Sequence, residues 1–157
     1  MKKETLRMVI LFLFIGMVFL CYGAGMMDYF AIYEPWKLID SKDFAAFHQY
    51  QGVRVMSIFV IPSAVMTLLN ILAFLFPAPY ASRKLLGLAL IAYAFDWIFS
   101  FTMQIPIQLK LSEGKNMQLL DELLRTNWWR FAADTIQFAL VCALLWQLLR
   151  RLERSGT

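Results

Sequence analysis

Apolar residues along this chain gather in four long runs, and the short segments between them carry most of the charge. The runs cover about 7–27, 53–76, 85–109 and 128–149. Each reaches about 20 residues, which at about 1.5 Å per residue crosses about 30 Å of hydrocarbon. None alternates with period two, and backbone groups in lipid must be satisfied internally, so α-helices are the expected spans. The second run ends at FPAPY, where Pro77 and Pro79 cannot continue a helix. The pattern therefore predicts an all-α polytopic membrane four-helix bundle, a single four-span domain over 1–157.

Two longer connections have a pattern of their own. Residues 28–53, DYFAIYEPWKLIDSKDFAAFHQYQGV, are too aromatic for a flexible linker. Ser41 followed by Asp43 has N-cap chemistry, and Phe44, Phe47, His48 and Gln51 recur at helical spacing, so a short helix is expected to lead into the second span. Residues 112–126, SEGKNMQLLDELLRT, place Gly114 as a break after the third span. A short amphipathic segment follows, with Met117, Leu119, Leu120, Leu123 and Leu124 to one side. Two short interfacial helices over one mouth of the bundle would form a lid or vestibule. Simple anchors at the membrane surface account for the same aromatic residues.

Composition agrees: 61% of residues are hydrophobic and 17% charged, with a mean hydropathy of +0.60. An ordinary soluble domain is nearer roughly half apolar. The N-terminal MKKETLR ahead of an apolar stretch looks like a secretory signal, but the apolar core is longer than a cleavable signal's about 7–15 residues, so it is kept as the first span. Lys2, Lys3 and Arg7, then Arg83 and Lys84, then Arg150, Arg151 and Arg154 fall on one side if the helices alternate. By the bias of basic residues this side is cytoplasmic, giving a multi-pass protein of a bacterial-type cytoplasmic (inner) membrane with both termini inside. The net charge of +4 then reflects topology rather than a nucleic-acid footprint, and membrane lipid is the expected partner. Cys21 and Cys142 fall at different depths, which forbids the Cα separation below about 7 Å that a disulfide needs, so both are expected as buried fillers.

Polar residues inside the spans are the sharper signal, because a charge at bilayer depth costs at least about 2.5 to 3.5 kcal/mol on insertion scales. Asp96 stands near the middle of the third span, and Arg130 and Asp134 lie one turn apart in the fourth, with Asn70 and Gln137 as further polar groups. Gln104 and Gln108 share a face at i, i+4. Depth matching gathers Arg54, Gln104, Gln108, Asn127, Arg130 and Asp134 near the outer mouth, with His48 above them. Trp128, Trp129, Phe44, Phe47 and Tyr50 add aromatic rings at the same end. Structural roles compete with each assignment. Arg130 with Asp134 is also an ordinary i, i+4 ion pair, Asp96 a carboxylic acid hydrogen-bonded to another helix, and His48 an interfacial ring. A single histidine excludes bis-histidine haem and the usual multi-histidine metal sites, and no phosphate-cradling loop is present. No metal and no cofactor is therefore expected.

FHQYQGVRVM, ahead of and entering the second span, and MQIPIQLKLSEGKNMQLLDELLRTNWWRFAADTIQ, bridging the third and fourth, resemble the anthrone oxygenase-like family of small four-helix membrane proteins. This chain has Pro106, Ile107 and Gln108 where the family pattern has Pro-x-Asn. The resemblance implies a cofactor-independent oxygenase acting on polycyclic phenolic substrates. It would make His48 the base, with Asn127, Trp128 and Arg130 at the mouth of the fourth helix. A base close to an acidic carbon could form a carbanion that reacts with oxygen, while Arg130 or Arg54 stabilises the oxyanion. On the same resemblance, the five aromatic side chains would stack on flat rings of the substrate.

Three readings stay open: an oxygenase-like enzyme on an aromatic or quinone-like ligand, a non-catalytic binder of lipid or another amphipathic ligand (or a subunit of a membrane assembly), and a proton-coupled transporter working through Asp96. The last would require a homo-oligomer.

Overall fold

The computed structural model describes residues 3–155; Lys2 of the N-terminal basic cluster lies outside them. Its helices are α1 (Lys3–Met27), α2 (Ser41–Val55), α3 (Ile61–Leu75), α4 (Arg83–Phe99), α5 (Ile105–Leu111) and α6 (Met117–Ser155). Wide π turns at Met56–Val60 and Ser100–Gln104 join α2 to α3 and α4 to α5. A third, Asp28–Ile32, prolongs α1 into a 3-10 turn at Glu34–Leu38. The result is four long rods, Lys3–Leu38, Ser41–Leu75, Arg83–Leu111 and Met117–Arg151, each long and apolar enough to cross a membrane. The chain is an all-α four-helix bundle and, by the length and composition of these rods, a multi-pass membrane protein. α1 packs on α3, α3 on α4, α4 on α6 and α6 back on α1, which closes the ring.

The rods are longer than the apolar runs because amphipathic ends join them. The segment read as a separate short helix in 112–126 begins at Met117 and runs without interruption into α6. Gly114 does lie in the turn after α5, as read. The helix expected from Ser41 is present and leads into the second rod, although its cap is Asp40, whose Oδ1 accepts from the Lys42 N–H at 3.2 Å. The prolines explain where the wide turns fall. Ile61 N–H closes on Met56 O and Ile105 N–H on Ser100 O, and Pro62 and Pro106 come next in sequence. A proline ring clashes with the carbonyl four residues back and offers no N–H, and a widened turn relieves both faults.

Each rod buries one stripe at three- and four-residue spacing, and the stripe changes chemistry along its length. In α1 it is Leu11, Phe14, Ile15, Val18 and Cys21; in α4 it is Leu86, Ala89, Tyr93 and Asp96. Leu11, Phe14, Met66, Leu86 and Leu144 form an apolar core toward the end that holds both termini. A second apolar cluster of Tyr33, Trp36, Phe44, Ile107, Leu111, Leu120 and Leu123 closes the other end, called the mouth below. Between the two lies a polar layer. Asn70, at the edge of the first core, clasps α3 to α4: with its amide turned to satisfy both groups it donates to Leu86 O at 3.2 Å and accepts from Leu90 N–H at 3.1 Å. Cys21 and Cys142 are both free thiols.

Candidate functional site

The polar layer is organised by Arg130. Its Nε donates to Asp96 Oδ1 at 2.9 Å across the α4–α6 interface, and its Nη1 donates to Asn127 Oδ1 at 3.4 Å, one turn away on α6. Arg130, Asp96 and Asn127 are all buried. The i, i+4 pair expected between Arg130 and Asp134 is therefore corrected. The guanidinium reaches to a neighbouring helix, and the Asp134 Oδ1 has no hydrogen-bond partner. Asp134 turns instead toward α1, with Oδ2 3.6 Å from the position a side-chain carbon on Gly25 would take. Asp96, read as a clasp or a proton carrier, is the counter-ion of Arg130. Burying such a pair is costly unless geometry and further hydrogen bonds compensate, and the bond from Arg130 Nη1 to Asn127 Oδ1 is one of these.

Above this pair lies a cavity of about 640 Å³ between the second and third rods. Its inner wall carries Asp28, Ser63, Tyr93, Asp96, Ser100 and Arg130. Trp36, His48, Gln104 and Gln108 close the mouth side, and the remaining wall is largely apolar, with Phe59, Val60 and Trp97 among its members. Val53, Met56, Ile105 and Leu109 line the cavity and are also exposed on the outside of the bundle, so it opens sideways through the flank. The π turns at Met56–Val60 and Ser100–Gln104 flank that opening.

The mouth side is built from hydrogen-bonded side chains. His48 Nε2 is 2.7 Å from Gln108 Oε1, a contact that joins α2 to α5 across the opening. The imidazole packs against the Trp36 and Phe44 rings at 4.9 and 5.8 Å. Its Nδ1 is enclosed and has no hydrogen-bond partner. Trp36 Nε1 donates to Gln51 Oε1 at 2.7 Å. Gln104 Nε2 donates to Thr126 Oγ1 at 2.8 Å, while Gln104 Oε1, Ser63 Oγ and Ser100 Oγ lack partners. Buried polar atoms are paired in the great majority of cases, so these enclosed oxygens beside the cavity are exceptions. Outside the cavity the two connections are tied together. Lys115 Nζ donates to Lys37 O at 2.7 Å and to Ile39 O at 2.6 Å, and Lys37 pairs with Asp121 at 2.6 Å.

Five of the residues expected at the site line this cavity: His48, Asp96, Gln104, Gln108 and Arg130. Asn127 holds Arg130 from behind. Asp134 sits one layer deeper, beside a small void lined also by Cys21, Phe59, Tyr93 and Gln137. The other four are displaced by helix rotation. Trp128 and Trp129 are 57% and 61% exposed and lie off the buried stripe that carries Asn127 and Arg130. Tyr50 is exposed, and the Arg54 guanidinium lies 3.7 Å over its ring on the outside of α2.

Asp28, Tyr33, Ser63 and Ser100 enter the site without having been expected there. Asp28 reads in sequence as the charge that ends the first span, whereas its π turn continues the helix and carries the side chain inward, to 6% exposure. No family model, curated protein or solved structure matches the chain.

Proposed function

We propose that this protein takes a flat, hydrophobic ligand from the lipid phase through the side opening between the second and third rods and holds its polar head against the Asp28, Asp96 and Arg130 wall. The observation that carries this reading is the cavity itself: about 640 Å³, apolar toward the flank and polar at its inner end. That volume falls in the range of small-molecule sites, and apolar walls with a few convergent polar groups are their usual make-up. Aromatic rings at Trp36, Tyr93 and Trp97 favour an aromatic or quinone-like body over a single acyl chain.

Gly52 provides the test. It lines the cavity, and a side-chain carbon built on it meets no atom within 4 Å, so Gly52→Phe should obstruct the chamber without disturbing the helices. Native mass spectrometry of gently solubilised protein should release one hydrophobic compound from the wild type and none from Gly52→Phe. Release of the same bulk phospholipid from both would contradict the proposal.

A second reading, the oxygenase of the resemblance, is supported by His48 and Arg130 lining one cavity. His48 would take a proton from the acidic methylene carbon of an anthrone, and Arg130 would steady the oxyanion. Dioxygen would then oxidise that carbon to a carbonyl with release of water. In the observed conformation one ring nitrogen is held by Gln108 and the other is enclosed, so binding is favoured over proton abstraction. Oxygen uptake with an anthrone, abolished by His48→Ala, would reverse that order. An inner-membrane location with both termini cytoplasmic is part of the same proposal, carried by the basic clusters around Arg83 and Arg150.

A further inference from the structure

The proposed cavity has an electrostatic imbalance that narrows its ligand. Two carboxyls, Asp28 and Asp96, and one guanidinium, Arg130, line it, and no lysine does. Arg130 is engaged with Asp96 at 2.9 Å and with Asn127 at 3.4 Å. Asp28 is 94% buried by its 6% exposure, yet among the described residues its side chain makes no hydrogen bond or ion pair. Its one compensating charge is Arg130, which is already bonded to Asp96, so two carboxyls share a single guanidinium and Asp28 has room for a further partner from outside. The walls suit a positive one. Trp36, Tyr33, Phe59, Tyr93 and Trp97 surround the chamber, and aromatic faces attract ammonium groups, most strongly where water is excluded.

We infer that Asp28 is the counter-ion of the ligand head and that the ligand is a lipophilic amine bound in its protonated form, its ammonium donating to Asp28 within the aromatic walls. This inference rests on the proposed function, since it presupposes that the cavity is a ligand site. An anionic head would meet two carboxyls against one guanidinium that Asp96 already engages, and a neutral acceptor such as a quinone carbonyl would offer Asp28 no donor. Asp134, one layer behind, adds a further carboxyl on the same side of the balance.

Three probes of one shape separate the alternatives: 2-naphthylmethylamine, 2-naphthylmethanol and 2-naphthoate. Each is titrated by equilibrium dialysis into full-length protein in phosphatidylcholine nanodiscs, with empty nanodiscs to subtract partitioning. The amine should bind roughly ten-fold or more tighter than the alcohol, with naphthoate weakest. Asp28→Asn should erase the preference for the amine while still binding the alcohol, which shows the chamber to be intact. Equal binding of amine and alcohol to the wild type, or an unchanged preference in Asp28→Asn, would overturn the cationic ligand and leave the cavity reading standing. Failure of all three probes to exceed partitioning would overturn both. The wild-type ranking decides the matter even if the variant does not assemble.

Discussion

At the residue scale, the bundle depends on one buried charge pair. Arg130 and Asp96 sit between helices with little exposure, so removing the guanidinium leaves Asp96 uncompensated, while removing Asp96 breaks the one direct ion pair and leaves Arg130 only the fields of Asp28 and Asp134. Breaking such a pair costs about 3–5 kcal/mol, whereas replacing both by apolar residues of similar volume is often neutral or better. Arg130→Met should lower the thermal midpoint in detergent strongly and Asp96→Asn less so, and Asp96→Leu with Arg130→Met should recover part of the Arg130→Met loss, since Asp28 and Asp134 remain buried without the guanidinium. A double variant no better than Arg130→Met alone would show that the polar layer holds the helices by something other than charge balance. Trp128 and Trp129 give the contrasting case. They were placed at the right depth by the sequence, but they face outward, so Trp128→Ala and Trp129→Ala should leave ligand binding within about two-fold of wild type, the change of about 0.4 kcal/mol that loses no specific contact.

At the element scale, the π turns determine which side chains reach the chamber. Each turn admits one residue more than a regular helix, which changes the rotation of everything on its far side by about 100°. Met56–Val60 thereby aims the α2 face that carries His48 and Gly52 over the opening. Deleting Ser57 should restore regular helix, keep all four rods and swing His48 away from Gln108. Helical content by circular dichroism should stay close to wild type, while a ligand bound by the wild type is lost. Undiminished binding by the deletion variant would show that the turn has no part in forming the site. The mouth-side half of α2 is held to the third rod by the His48–Gln108 contact, by Gln49 Nε2 on Ser112 O at 3.4 Å, and by the fully buried Phe44 in the cluster with Ile107 and Leu111.

At the scale of the whole molecule, much of the architecture was legible in the sequence. Four apolar runs separated by charge dictate four rods, and Pro77 with Pro79 dictates where the second one stops. Depth was legible too, because position along a helix is simply residue number. This is why His48, Gln104, Gln108 and Arg130 could be gathered at one level. Rotation was not legible. Arg130 has Asp134 one turn below it and Asp96 across an interface, and only the packed bundle decides between them. Asp28 was lost for a related reason. A charge after an apolar run reads as a span's end, and neither Tyr29 nor Phe30 nearby gives any sign that a wide turn carries the helix onward and the carboxyl inward. The prolines at 62 and 106 were the available hint of irregular helix, although a proline alone does not say which way the chain turns.

On the proposed function, a hydrophobic molecule reaches the chamber through the flank between α2 and α5. Photo-crosslinking tests it most directly. A naphthalene carrying an aminomethyl group and a diazirine is photolysed with the protein in nanodiscs, and the adducts are mapped by peptide mass spectrometry. Saturable labelling should concentrate on Met56, Val60, Ile105 and Leu109, compete with unlabelled 2-naphthylmethylamine and disappear in Gly52→Phe. Non-saturable labelling spread evenly over outward residues such as Phe12, Trp129 and Trp146, unchanged by Gly52→Phe, would contradict it.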